Sequence, residues 1–209
     1  MIFSSTLFLL YFLPVFLIVY HLVPTFLKNW VLLLASLFFY AWGAPKFVFV
    51  VVGSVIVDYY LINSLFQAKQ ERKRKGLLFV SIAINLGLLL YFKYANFFVE
   101  NLNEVLLGIG VSNVEWTAVA LPIGISFYTF QTLTYSIDVY RGVHKPLKNP
   151  MQYLVYILLF PQMIAGPIVR FNQKTDQIAD RKALETIDNK LLGMFRFGIC
   201  LAKKVLIAN

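Results

Sequence analysis

The stretch Leu121-Pro-Ile-Gly-Ile-Ser-Phe-Tyr-Thr-Phe-Gln-Thr-Leu-Thr-Tyr-Ser-Ile-Asp-Val-Tyr-Arg-Gly142 is long enough to cross a bilayer and too polar to face lipid. About 20 residues at ~1.5 Å of rise each match a hydrocarbon core roughly 30 Å thick. On a helix, Thr129, Thr132 and Ser136 form one polar stripe, and Gln131, Thr134 and Asp138 repeat the spacing on a nearly opposite face. Hydroxyls alone are accounted for by hydrogen bonds between helices. A carboxylate is different: within a span it costs on the order of 3 kcal/mol on insertion scales, so Asp138 requires a partner or a wet cavity. Arg141, three residues on, is the local candidate. Two readings therefore stand, polar glue between helices and the lining of a cavity.

The rest of the chain has the composition that this helix needs around it. Of 209 residues, 59% are hydrophobic and 14% charged, and the mean hydropathy of +0.71 is that of an integral membrane protein rather than a soluble domain. The net charge of +9 lies at the ends of apolar runs, where membrane topology explains it, and no basic recognition module is present, which excludes nucleic acid as a partner. The single cysteine, Cys200, has no internal disulfide partner and reads as a small buried hydrophobe. With two histidines and that one cysteine no metal-ligand spacing occurs. There is no internal repeat, so 1–209 reads as a single membrane domain.

Taken in order, the first span is expected over about Ser5 to Leu27, with a kink near Pro14. It lacks a basic leader and a small-residue cleavage pattern and is expected to be retained. His21 near its inner end reads as a hydrogen-bonded packing residue. Trp30 to Trp42 is short for a straight crossing, and Gly43-Ala-Pro45 separates it from a run over Phe47 to Phe66, in which Asp58 and Asn63 are expected to face protein partners. Lys69 to Lys75 carries five bases against one acid and is placed in the cytoplasm by the positive-inside rule. Gly76 to Tyr94 is a clean span, and Glu100, Glu104 and Glu115 are expected in an outer loop. The second basic loop, Arg141 to Lys148, with His144 solvated in it, again lies inside. Five crossings with the N-terminus outside satisfy both loops.

After Pro150, Pro161 is expected to break a helix and Gly166-Pro167 to allow a turn, giving a broken or re-entrant segment. Such backbone survives at membrane depth only when buried or lining a cavity. Arg170 to Lys190 reads as a loop with an amphipathic helix. Leu191 to Ile207, interrupted by Arg196, Lys203 and Lys204, is too charged for a free lipid span. With the sequence ending at Asn209, the last helix is expected to be unfinished. The fold class is thus an all-α polytopic membrane protein with about five to seven transmembrane or re-entrant helices.

Four blocks give the chain a resemblance. They are Phe3-Ser-Ser with Tyr11-Phe-Leu-Pro14; Ala35-Ser-Leu-Phe-Phe-Tyr-Ala-Trp42; Phe92-Lys-Tyr-Ala-Asn-Phe-Phe98; and Leu121 to Gln131, extended by Tyr140-Arg-Gly142 and by Phe160-Pro-Gln-Met-Ile-Ala-Gly-Pro167. In order and spacing over nearly the whole chain they resemble the membrane-bound O-acyltransferase family, and its alginate O-acetyltransferase-like branch most. The resemblance implies an incomplete family-type helical core, the N-terminal part of an enzyme that transfers an acyl group, most simply acetyl, to hydroxyls of an exported polysaccharide in the bacterial cytoplasmic membrane. It also implies a catalytic histidine in the second half of a chain about twice this length, so neither His21 nor His144 is assigned a catalytic role and this chain alone is expected to be inactive. Membrane lipids, a polysaccharide substrate or acyl-carrier partner proteins are the implied partners. No bound cofactor is implied, and the sequence does not specify the acyl donor.

The residues carried over are those of the tunnel wall: Ser126, Thr129, Gln131, Thr134 and Asp138 on the polar helix, and Pro161, Gln162, Gly166 and Pro167 at the break. Competing classes are a non-catalytic truncated or partner membrane protein, which the missing histidine favours, and a transporter, which the missing inverted repeat disfavours.

Overall fold

A computed structural model describes residues 5–109, 112, 115–122, 124–163 and 186–207. Gly166 and Pro167 lie outside the described residues, as does most of the Arg170 to Lys190 segment. The described residues are helical and contain no strand: α1 (Phe8–Leu22), α2 (Lys28–Gly43), α3 (Val48–Gln67), α4 (Glu71–Gly108), α5 (Ile125–Tyr140), α6 (Pro150–Leu158), α7 (Phe160–Met163) and α8 (Ile187–Ile207). Three stretches are long and apolar enough to span a membrane, Thr25–Gly43, Pro45–Gln67 and Glu71–Gly108, which makes this an all-α membrane protein.

The helix boundaries follow local chemistry, and several differ from the sequence expectation. In α1 the turn Phe8–Phe12 is a wide π turn with the Leu13 N–H bonded to the Phe8 carbonyl, so the helix absorbs Pro14 by widening just ahead of it. The second helix gains length from a 3-10 turn at Thr25–Leu27, and as Thr25–Gly43 it is long and apolar enough to cross, which the 13-residue apolar run alone was not. The fourth is the larger correction. No Pro or Gly interrupts the chain between Tyr94 and Gly108, so the helix runs for 38 residues, about 57 Å, and takes up Glu100 and Glu104 that were expected in a loop. Asn96 then ties this helix to the strap that follows it, donating to the Val119 carbonyl at 2.8 Å and accepting from the Val119 N–H at 2.9 Å and the Trp116 indole at 3.0 Å.

The polar helix α5 is shorter than its sequence suggested, 16 residues, because Pro122 and Gly124 hold the chain in a turn before it. Gly124 takes φ +76°, a left-handed value that a side chain would strain. At the other end the Gly142 N–H bonds to the Val139 carbonyl and the Val143 N–H to that of Asp138, with Gly142 at φ +73°, the pattern of a Schellman stop. Asn149 then caps α6 by accepting from the Met151 N–H at 2.9 Å, with Pro150 in the first position.

α6 stops at Leu158 because Pro161 has no N–H to continue its ladder, and the chain steps out at Leu159 before one more turn, α7. The break therefore lies two residues before Pro161 rather than at it. Its loose backbone groups are taken up by side chains: the Phe160 N–H donates to Ser36 Oγ at 3.1 Å, and the Tyr156 carbonyl accepts from Gln131 Nε2 at 2.8 Å. Buried Val51, Val55, Ile62 and Leu65 of α3 meet Tyr135, Val139, Tyr153 and Ile157 of α5 and α6 in the core. Phe8, Phe39 and Phe160 lock α1 and α2 to the break, Phe8 lying edge-on to Phe39 at 5.7 Å. Residues 187–200 of α8 are exposed, including Cys200, which is not the buried hydrophobe that its apolar neighbours suggested.

Candidate functional site

The two polar stripes of α5 separate cleanly in space. One turns inward onto Asp58 of α3, which is only 1% exposed. Its Oδ1 accepts from the Ser81 hydroxyl and from Asn85 Nδ2 at 3.1 Å, and its Oδ2 from the Tyr153 hydroxyl at 2.8 Å. From α5, Thr132 Oγ1 donates to Asn85 Oδ1 at 2.9 Å, and Ser136 Oγ lies 3.2 Å from Ser81 Oγ. Four helices therefore share one hydrogen-bonded network around a single buried carboxylate. Every one of these contacts is internal, and nothing in the cluster faces open space, so this stripe is glue. Thr129, at the head of the stripe, does not join through its side chain. It is 1% exposed, its carbonyl accepts from Thr132 Oγ1 at 2.8 Å, and its own hydroxyl has no partner among the described residues.

The second stripe points toward α6 and the break. Gln131, 4% exposed, bonds to the Tyr156 carbonyl, and Gln162 Nε2 approaches the same oxygen at 3.4 Å, so these two expected site residues are brought together. Thr134 is half-buried and turns its hydroxyl back to the carbonyls of Phe130 and Gln131, both at 3.0 Å. Asp138 sits at the far end of the stripe, half-exposed. Its partner is not Arg141, which the Schellman stop carries outward and leaves exposed, but His144, whose Nε2 lies 4.0 Å from Asp138 Oδ2. His144 is accordingly not a solvated loop residue. The chain reversal after Gly142 lays its ring 5.2 Å from that of Tyr135, and burial pushes the imidazole below its ordinary value, against the opposing pull of the Lys145 carbonyl and Asp138. Ser126 is half-buried at the start of the helix, and Pro161 is exposed.

The same end of the molecule carries both basic segments, and the fold joins them. Arg74 Nη2 donates to the Tyr140 carbonyl at 2.7 Å, and the Tyr140 hydroxyl donates to Glu71 at 2.6 Å. The basic start of α4 thus caps the carbonyl end of α5. Ser81, Asn85 and Tyr153 were not singled out from sequence. The first two stand four residues apart in an otherwise apolar span, the spacing of one helix face, and that was the available signal; Tyr153 offered none, since a tyrosine in an apolar helix has many uses.

The chain is 40% identical over its full length to the probable alginate O-acetylase AlgI of Pseudomonas aeruginosa, covering 40% of that protein. It is 39% identical to the corresponding protein of Azotobacter vinelandii, covering 42% of it. In these relatives the chain matches the N-terminal portion. A peptidoglycan O-acetyltransferase of Helicobacter pylori is 32% identical, again over the full chain and 45% of the relative. The chain thus spans less than half the length of the curated relatives that it matches. No family model and no solved structure matches it. The resemblance carried by the four sequence blocks is borne out by these matches.

Proposed function

We propose that this chain forms the N-terminal membrane part of an O-acyltransferase that moves an acetyl group onto hydroxyls of an exported polysaccharide, and that the Gln131, Thr134, Asp138 face of α5, with Gln162 and the break at Pro161, is its share of the tunnel wall. The observation that carries this is the division of α5. One polar face is consumed by the Asp58 network, while on the other Gln131 meets Gln162 at the Tyr156 carbonyl beside the helix break, and Asp138, further along the same face, keeps a partly exposed carboxylate. A hydroxyl is a poor nucleophile at neutral pH, so the reaction needs a base from the rest of the enzyme and polar groups that hold the acyl carbonyl. The wall described supplies groups of the second kind only.

The test is Gln131→Leu in a full-length relative, read as acetyl transfer per folded molecule in detergent. A tunnel-wall role lowers that specific activity while the protein stays folded. If Gln131 serves only to hold Tyr156, folded protein falls with total activity and the specific activity does not change, which would remove it from the wall.

We also infer that the protein lies in the bacterial inner membrane with its N-terminus outside, since the segments around Arg72 and Lys145 are the basic ones and belong on the cytoplasmic side. In intact cells an impermeant thiol reagent is expected to miss cysteines placed at Lys73 and Lys145 and to label one at Asn103; labelling at Lys73 overturns the orientation.

A further inference from the structure

The basic end of the molecule carries a charged surface that the tunnel wall does not use, and the fold assembles it from two distant segments. Arg74 is the join. Its Nη2 donates to the Tyr140 carbonyl at 2.7 Å and its guanidinium stands 5.2 Å from the Tyr140 ring centre, while Tyr59 pins the far side of the loop by donating to the Lys148 carbonyl at 2.8 Å. Lys69, Arg72 and Lys73 of the first segment and Arg141, Lys145 and Lys148 of the second are thereby held at one end, all of them exposed. The acids nearest to them are already engaged. Glu71 accepts from the Tyr140 hydroxyl at 2.6 Å and pairs with Arg74 at 3.2 Å, and Asp138 faces His144. Among the described residues no ion pair holds any of the six cations. A charge bias that only sets topology needs cations on one side of the membrane; it does not need two segments bonded together with their acids turned to other partners.

Depth and spacing say which anion fits. α3 and α4 are both long and apolar enough to span, and the first segment is the short connection between them, so it lies at the bilayer edge; the Arg74 bond brings the second segment to the same level. Beyond the cations α4 turns apolar side chains outward. Phe79 is 71% exposed and Val80 43%, and each stands seven residues on from an exposed cation, Arg72 and Lys73 respectively. Seven residues are two turns along one helix face and about 10 Å of rise, enough to cross a headgroup layer roughly 5 to 8 Å deep and reach hydrocarbon. A cation above an outward apolar side chain matches both halves of a phospholipid, whereas an acidic protein would meet the cations alone.

We propose that this end of the protein binds the phosphate headgroups of anionic phospholipids, with their acyl chains laid along the Phe79 face of α4. The proposal rests on the membrane character of the chain alone; neither the acyl-transfer reading nor the orientation of the N-terminus enters it.

The experiment reconstitutes the purified chain in phosphatidylcholine vesicles with trace chain-spin-labelled phosphatidylglycerol or phosphatidylcholine, and reads the motionally restricted fraction of each by electron spin resonance. Phosphatidylglycerol is expected to be preferred about fivefold, the factor that one cation near a headgroup supplies. That preference is expected to vanish in about 1 M salt, where the screening length is about 3 Å. Replacing Arg72, Lys73, Arg141 and Lys145 together by Gln is expected to abolish it. Each pair alone, Arg72→Gln with Lys73→Gln or Arg141→Gln with Lys145→Gln, gives an intermediate loss and covers the case in which the fourfold variant does not fold. Lys46→Gln with Lys93→Gln removes exposed cations at the opposite end and keeps the full preference. Equal association of the two lipids with the unaltered chain overturns the proposal, as does an equal loss in the Lys46, Lys93 control. A pair whose removal changes nothing overturns the joint site. Poly-glutamate is the rival ligand: if it binds and is lost in the same variants while phosphatidylglycerol is not preferred, the surface docks an acidic protein and the proposal fails.

Discussion

The two faces of α5 carry similar side chains and have opposite fates. Thr132 and Ser136 are drawn into a closed network in which each polar atom has a protein partner, whereas Thr134 and Asp138, two residues along from each, remain partly open. The difference lies in what stands opposite. Across from the first face, α3 and α4 present Asp58, Ser81 and Asn85, a carboxylate and the donors that it needs. Across from the second, Gln131 meets the Tyr156 carbonyl just ahead of the break at Leu159, Thr134 turns back to its own helix and Asp138 faces His144, so no side-chain network closes over this face. Whether a polar residue of α5 is closed into a network is thus set by the side chains that stand opposite it.

The contrast can be broken at its strongest point first. Asp58→Leu removes the acceptor for three buried donors, and leaving Ser81, Asn85 and Tyr153 unpaired is expected to destabilise the protein by about 3 kcal/mol, measured as chemical unfolding in detergent. A loss no greater than that of an exposed substitution would mean that the network is not what holds the four helices together. Thr132→Val should cost less, about 1 kcal/mol, because one hydroxyl and one bond to Asn85 are lost. In a full-length relative it is expected to lower folded yield while specific activity stays unchanged, the reverse of Gln131→Leu. A fall in specific activity for Thr132→Val would place the inward face in the chemistry and erase the distinction.

The smallest effect sharpens the open face. Burial holds the His144 imidazole below its ordinary value, so as pH falls the unfolded chain takes up this proton before the folded one does. Stability is therefore full above the unfolded value of about 6.5 and declines as the pH drops below it toward the lower folded value. His144→Gln is expected to flatten this decline when unfolding midpoints are compared at about pH 7.5 and about pH 5.5. An equal slope in the variant shows that another group governs it. A steeper one shows that the pairing with Asp138 outweighs burial.

Hydropathy and charge placement determined the membrane character of the chain, the helical class, the pairing of both basic segments on one side and the presence of two polar stripes on α5, because these depend on local composition and on the 3.6-residue period alone. The likeness to the O-acetylases was equally legible, since it is carried by short blocks in order. Helix extent was not. The 38-residue length of α4 depends on the absence of a stop signal between Asn96 and Gly108, which a hydropathy window ending at Tyr94 does not register, and the length of α5 on the Gly124 turn. Only the tertiary structure decided which stripe is glue. Asp58, Ser81, Asn85 and Tyr153 lie as far as 95 residues apart, and their convergence is a property of how four helices pack. The same holds for His144, which a single left-handed glycine at 142 turns from a loop residue into the neighbour of Asp138.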